Sequence, residues 1–136
     1  MIEIVATDDV GVDVASLEQV LAWAADRLEI PSASVGVMVV GPERMARINH
    51  RHRGIDRATD VLAFPLDGPD GLDAWPDEGP PPELGDVVIC PDAADEPLTT
   101  LAIHGLLHLL GHDHETDDGT MLRIQDALVE AAAARG

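Results

Sequence analysis

The sequence predicts an α+β domain, a small mixed sheet of about four strands packed against several helices, one of them a buried helix that carries metal ligands. Three observations predict it. Two β-branched apolar runs, from Val35 to Val40 and from Gly85 to Cys90, have strand length and are closed by Gly41-Pro42 and by Pro91. Apolar residues recur at helical spacing elsewhere, as in Leu17, Val20, Leu21, Ala24 and Leu28. Finally, the run H-G-L-L-H-L-L-G-H-D-H, residues 104–114, combines a leucine-rich helix with histidines at ligand spacing. At 136 residues the chain suits one domain, 1–136, able to bury roughly two-thirds of the surface that its unfolded form exposes.

Taken in order, Ile2 to Ala6 reads as a short strand. Ser16-Leu17-Glu18-Gln19 matches a capping box and should open the first helix. After the strand ending at Val40, Gly41-Pro42 opens a second helix with Met45 and Ile48 turned inward, arginines outward and Gly54 as its stop. A third strand is expected from Asp60 to Phe64, ended by Pro65. The segment from Leu66 to Glu83, rich in Asp, Gly and Pro, reads as a long loop that Trp75 could pin. A helix from Leu98 to Leu110 carries the histidines. Thr116 could cap a last helix running to Ala134, with Met121, Leu122, Ile124 and Leu128 as its buried side.

The chemistry concentrates in residues 104–114. At 3.6 residues per turn, His104 and His108 lie on one face and can aim ring nitrogens at one point. Gly111 can take the left-handed conformation that ends a helix, so the chain turns back and brings His114 round as third ligand. His112 is the alternative third ligand. Three protein nitrogens with a fourth position left for solvent describe a catalytic zinc site, whereas four protein ligands describe a structural one. Asp113 and Glu115 could orient the rings through the nitrogens that do not touch metal. The spacing is also that of the metzincin proteases, H-E-x-x-H-x-x-G-x-x-H, except that Gly105 stands where those enzymes carry their glutamate base. Peptide hydrolysis by that route is therefore not expected.

Composition narrows the class further. The single cysteine, Cys90, rules out a disulfide framework and fits a reducing compartment. With no basic N-terminal region and no apolar run of membrane-spanning length, a soluble cytoplasmic protein is expected. The net charge of −18 repels polyanions at long range, and all eight basic residues are arginine. Five of them, Arg44, Arg47, Arg51, Arg53 and Arg57, fall in one segment of fourteen residues, and none occurs from 58 to 122. Such a cluster of planar guanidinium groups forms a phosphate-binding patch.

Taken together, these motifs resemble the YbeY family of bacterial endoribonucleases. The residues 104–114 resemble its H-G-x-L-H-L-x-G-x-D-H signature. Asn49, Arg53-Gly54, Thr59-Asp60-Val61-Leu62 and Phe64-Pro65 are similar to a second block, and Leu84-Gly85-Asp86-Val87-Val88-Ile89 to a third. The chain departs from the family at His52 and His112, where tyrosine is frequent, at Ala63, where serine is usual, and in a short Pro91–Thr100 stretch. The resemblance implies one zinc ion on His104, His108 and His114, with Arg53 as a functional residue beside it. It also implies cleavage of RNA in small-subunit ribosomal RNA maturation and ribosome quality control. The implied partners are ribosomal RNA and the small ribosomal subunit, with a ribosomal protein as a further candidate. The proton acceptor is left open among metal hydroxide, His112, His52 and Asp113. Two other readings remain at this point: a metallopeptidase-like hydrolase, and a non-catalytic ribosome assembly factor with a structural metal.

Overall fold

A computed structural model describes residues 2–30, 32–66, 83–112 and 118–135. Within them the chain runs β1 (Ile2–Asp8), α1 (Val14–Arg27), β2 (Ala33–Val39), α2 (Pro42–Arg53), β3 (Val61–Pro65), β4 (Glu83–Ile89), a single 3₁₀ turn (Pro91–Ala93), α3 (Leu98–Leu109) and α4 (Thr120–Arg135). The strands form one sheet in the order β1-β2-β4-β3. β1 with β2 and β2 with β4 are parallel, and β3 runs antiparallel along the β4 edge, so the sheet is mixed as the sequence predicts.

Alternation along the strands separates two cores. Val35, Val37 and Val39 of β2 and Val87 and Ile89 of β4 face one side, where they bury against Leu17, Leu21 and Ala24 of α1, most of α3, and Met121 and Leu128 of α4. Val88 and Leu62 face the other side and pack with Val40, Cys90 and Met45 of α2. Cys90 is thus a small core residue, fully buried. α3 is apolar nearly all round, with Leu101, Ala102, Ile103, Leu106, Leu107 and Leu109 buried, because it lies between the sheet and the helices α1 and α4. Between β2 and β4 the register slips by one residue at Leu84, and Gly85 takes φ +144° there. A β-carbon on Gly85 would stand 2.2 Å from the Phe64 carbonyl oxygen and 2.8 Å from Leu109 Cδ2, so the end of α3 can seat on the sheet only over a glycine.

Several local expectations need correction. The first helix starts at Val14, and its cap is Asp13: the Ser16 backbone N–H donates to Asp13 Oδ1 (3.2 Å) and the Ser16 hydroxyl to Oδ2 (2.6 Å). Ser16 therefore sits inside the first turn as a donor to the cap, because the helix is already capped three residues earlier, at Asp13. These hydrogen bonds, that from the Ser16 hydroxyl first, hold the Asp13 carboxyl below its ordinary range. Leu28 forms the C-terminal cap of α1 and, partly buried, packs with the expected face of the helix against the main core. β1 runs two residues past its expected end, β2 and β4 begin two residues earlier and end one residue earlier than expected, and β3 begins at Val61 and includes Pro65, which an edge strand tolerates. α4 begins at Thr120. Leu122, expected to be inward, is 42% exposed. The shortened stretch after Pro91 holds the 3₁₀ turn and then the first residues of α3, which begins at Leu98. The loop centre with Trp75, and Asp113, His114, Glu115 and Thr116, lie outside the described residues.

Candidate active site

α3 holds His104 and His108 one turn apart, and their Nε2 atoms converge to 3.1 Å with the rings 74° apart. Two nitrogens bound at about 2.05 Å to one tetrahedral ion stand about 3.3 Å apart, so the pair already has the spacing of two ligands. The tautomer is compatible as well. His104 Nδ1–H donates to Gln125 Oε1 at 2.6 Å, which leaves its Nε2 lone pair for the shared point. Gln125 is the orienting residue that sequence reasoning missed. A signal for it exists: it lies four residues after Met121 and three before Leu128, a polar side chain on the stripe that α4 buries.

The helix ends as the sequence predicts. Gly111 has φ +93°, its N–H donates to the His108 carbonyl (3.0 Å), and the His112 N–H reaches back to the Leu107 carbonyl (3.1 Å). This double closure is the Schellman arrangement, which caps the last carbonyls and reverses the chain direction. Among the described residues no group of three His, Cys, Asp or Glu side chains gathers round one point. Among the described residues, the donors spaced for a metal are the His104–His108 pair.

Gly105 gains a second meaning from the structure. A β-carbon there would lie 2.5 and 2.9 Å from the two γ-carbons of Val87. Position 105 therefore packs directly against the sheet at Val87. Glycine offers no proton acceptor and a larger side chain would collide with Val87, so the likeness to the metzincin pattern stops at ligand spacing.

The histidine pair opens into a cavity of about 490 Å³ between α3, α4, the end of α2 and the start of β3. Arg53, from the last turn of α2, lines it, so the structure brings together Arg53, His104 and His108 from separate elements. Asp60 and Glu96 line the same space and are carboxylates the sequence reasoning did not select; the exposed Leu122 forms part of its wall. Asp60 is fixed by its neighbours: its carboxylate accepts from the Val61 N–H (2.8 Å), and its carbonyl from the Cys90 N–H (2.8 Å). The buried Asn49 ties α2 to the following segment, donating from Nδ2 to the Arg57 carbonyl (2.9 Å). His52, one of the proton acceptors considered from sequence, lies elsewhere, its ring 4.6 Å from that of Phe64 in a second depression. The arginine cluster divides as well: Arg53 enters the histidine cavity, while Arg44, Arg47 and Arg51 line the depression at His52, Arg44 being paired with Asp9.

A family model described as endoribonuclease YbeY matches residues 8–133. The endoribonuclease YbeY of Limosilactobacillus fermentum is 38% identical over 130 residues, covering 83% of each chain. That of a Geobacillus strain is 40% identical over 115 residues, covering 75% of this chain and 74% of the relative. Among solved structures, the solution structure of a Thermotoga maritima protein superposes with a TM-score of 0.62 at 28% identity, covering 99% of this chain and 91% of the other.

Proposed function

The chain belongs to the endoribonuclease YbeY family, and on that footing we propose that it is a zinc-dependent endoribonuclease that cuts single-stranded segments of ribosomal RNA during maturation and quality control of the small subunit. One observation carries the reading: the converging Nε2 atoms of His104 and His108 share a cavity with Arg53. In this reading His104, His108 and His114 hold the ion, one per chain. When bound, zinc supplies Lewis acidity toward a phosphoryl oxygen and lowers the pKa of water in its reach.

The remaining work falls to side chains of this protein. Gln125 keeps His104 in the tautomer whose Nε2 can ligate. The Arg53 guanidinium binds the scissile phosphodiester and stabilises the charge that grows on its equatorial oxygens as the phosphorus becomes five-coordinate. As a water oxygen bonds to phosphorus, its proton passes to a carboxylate oxygen of Asp60 or Glu96, the carboxylates of the cavity wall; the P–O bond to the leaving ribose oxygen breaks, and that oxygen takes the proton from the same carboxyl group. A peptidase is disfavoured because Gly105 supplies no proton acceptor where the metzincin pattern carries its glutamate. Among the described residues no helix is long and apolar enough to cross a membrane, and a cytoplasmic site of action on the small ribosomal subunit is part of this proposal.

The test is Arg53→Ala, with RNA cleavage and metal content measured on the same preparation. Turnover is expected to fall by about 10²–10³ while metal content stays intact, the range seen when one preorganised donor to a transition-state oxyanion is removed. Unchanged turnover would remove Arg53 from the mechanism.

A further inference from the structure

The last turn of α2 separates two cavities. Arg53 lines the histidine cavity, while Arg47, Arg51 and His52 line a depression of about 330 Å³ between α2 and the other face of the sheet, with Phe64 and Val88 on its floor. This depression has two features that meet in sites for single-stranded nucleic acid. One is a ring platform, His52 and Phe64 with centroids 4.6 Å apart and planes inclined at 46°, half open to solvent, on which a base can stack. The other is free cationic charge. Arg47 and Arg51 are exposed, and among the described residues neither is paired with a carboxylate, in a chain whose net charge is −18.

The two cavities flank the same edge strand. Val61 lines the first and Phe64 the second, three residues apart on β3, the edge strand, and facing opposite sides of the sheet. Three residues of strand span about 10 Å, the rise of about three stacked nucleotides. We propose that the Arg47–Arg51–His52–Phe64 depression holds the part of a single-stranded RNA that flanks the bond placed at His104 and His108, the strand passing round the β3 edge beside the end of α2. Arginines 47 and 51 take backbone phosphates, and one base lies on the His52–Phe64 pair. Asp86, also in the wall, offers a carboxylate acceptor to an exocyclic amine of a base. A docking site confined to this depression explains how so acidic a chain retains a polyanionic substrate.

The inference rests on the proposed ribonuclease reading, but its test does not require cleavage. Binding of fluorescent 2′-O-methyl oligonucleotides of four and twelve nucleotides is measured across a salt series for the full chain and for Arg47→Gln/Arg51→Gln and His52→Ala. For the twelve-mer, the double variant is expected to bind about ten-fold more weakly, with a salt slope shallower by about 1.4, about 0.7 per lost phosphate contact. His52→Ala should weaken binding with the slope unchanged, because stacking releases no counterions. The four-mer, filling only the histidine cavity, should bind all three proteins alike. Equal twelve-mer affinity and slope in wild type and double variant would overturn the proposal, as would tight capture of an acidic peptide with no affinity for RNA. Failure of the ribonuclease reading shows differently, as absent cleavage of unmodified RNA by a wild-type protein whose twelve-mer binding still depends on Arg47 and Arg51.

Discussion

Gly105→Ala adds one methyl group at the contact between α3 and the sheet, where the new carbon would stand 2.5 Å from Val87 Cγ1 and 2.9 Å from Cγ2. Carbon atoms in contact normally lie about 3.5–4.0 Å apart, so α3 must move out by roughly an ångström or β4 must yield. Neither motion is easy, since Val87 is fully buried in an interior strand and is stiff at χ1. Overpacking of this kind costs about 3 kcal/mol at the upper end of its usual range, and alanine returns about 1 kcal/mol of helix propensity. The net loss is about 2 kcal/mol. With about 2.1 cal/mol/K of unfolding entropy per residue, a chain of this length loses about 3.5 °C per kcal/mol, so Tm should fall by about 7 °C in a circular-dichroism melt. Val87→Ala in the same protein should make the glycine substitution cheaper, because the two sites are coupled through one contact. A Tm at or above wild type, or strict additivity of the two substitutions, would refute the close approach of α3 to the sheet.

The other predictions concern the site and the first helix. Gln125→Ala should weaken metal binding about 10- to 100-fold in a chelator competition while leaving the fold intact, because His104 loses the acceptor that orients its ring; Gln125→Glu should preserve most of the affinity. Asp13 is held below its ordinary range in the folded chain, so its capping contribution is fully present above the unfolded carboxylate pKa and is lost as pH falls through the folded one. Comparing Tm for wild type and Asp13→Ala should show a gap near pH 7 that closes in acid, and a gap constant down to pH 2 would contradict the cap.

Much of the fold could be read from local pattern. The strands through Val35 and Val87 and the helix of Leu106 and Leu107 announce themselves by period and by β-branching, and Gly54 and Gly111 mark helix ends that the structure places there. The errors have physical causes. Two capping patterns compete around Ser16, and the earlier one wins because Asp13 reaches both the N–H and the hydroxyl of Ser16. Leu122 fits an inward stripe by spacing alone, yet it stands at the cavity wall, where burial ends. Gly105 shows the limit most clearly: the sequence reveals a missing glutamate, and only the tertiary contact with Val87 explains why nothing larger sits there. At the site, His104 and His108 are legible because one helix carries both. Gln125, Asp60 and Glu96 are not, since their nearness to the pair depends on how α4, β3 and the turn before α3 pack.

Elemental analysis of the purified protein and of His114→Ala, each paired with a ribonuclease assay before and after chelation, tests the central claim most directly. One zinc per chain is expected in the wild type, with RNA fragments that vanish on chelation and return with zinc, and both metal and fragments are expected to be lost in the variant. Metal-free protein that still cuts RNA, or a variant that keeps its full zinc content, would contradict the account.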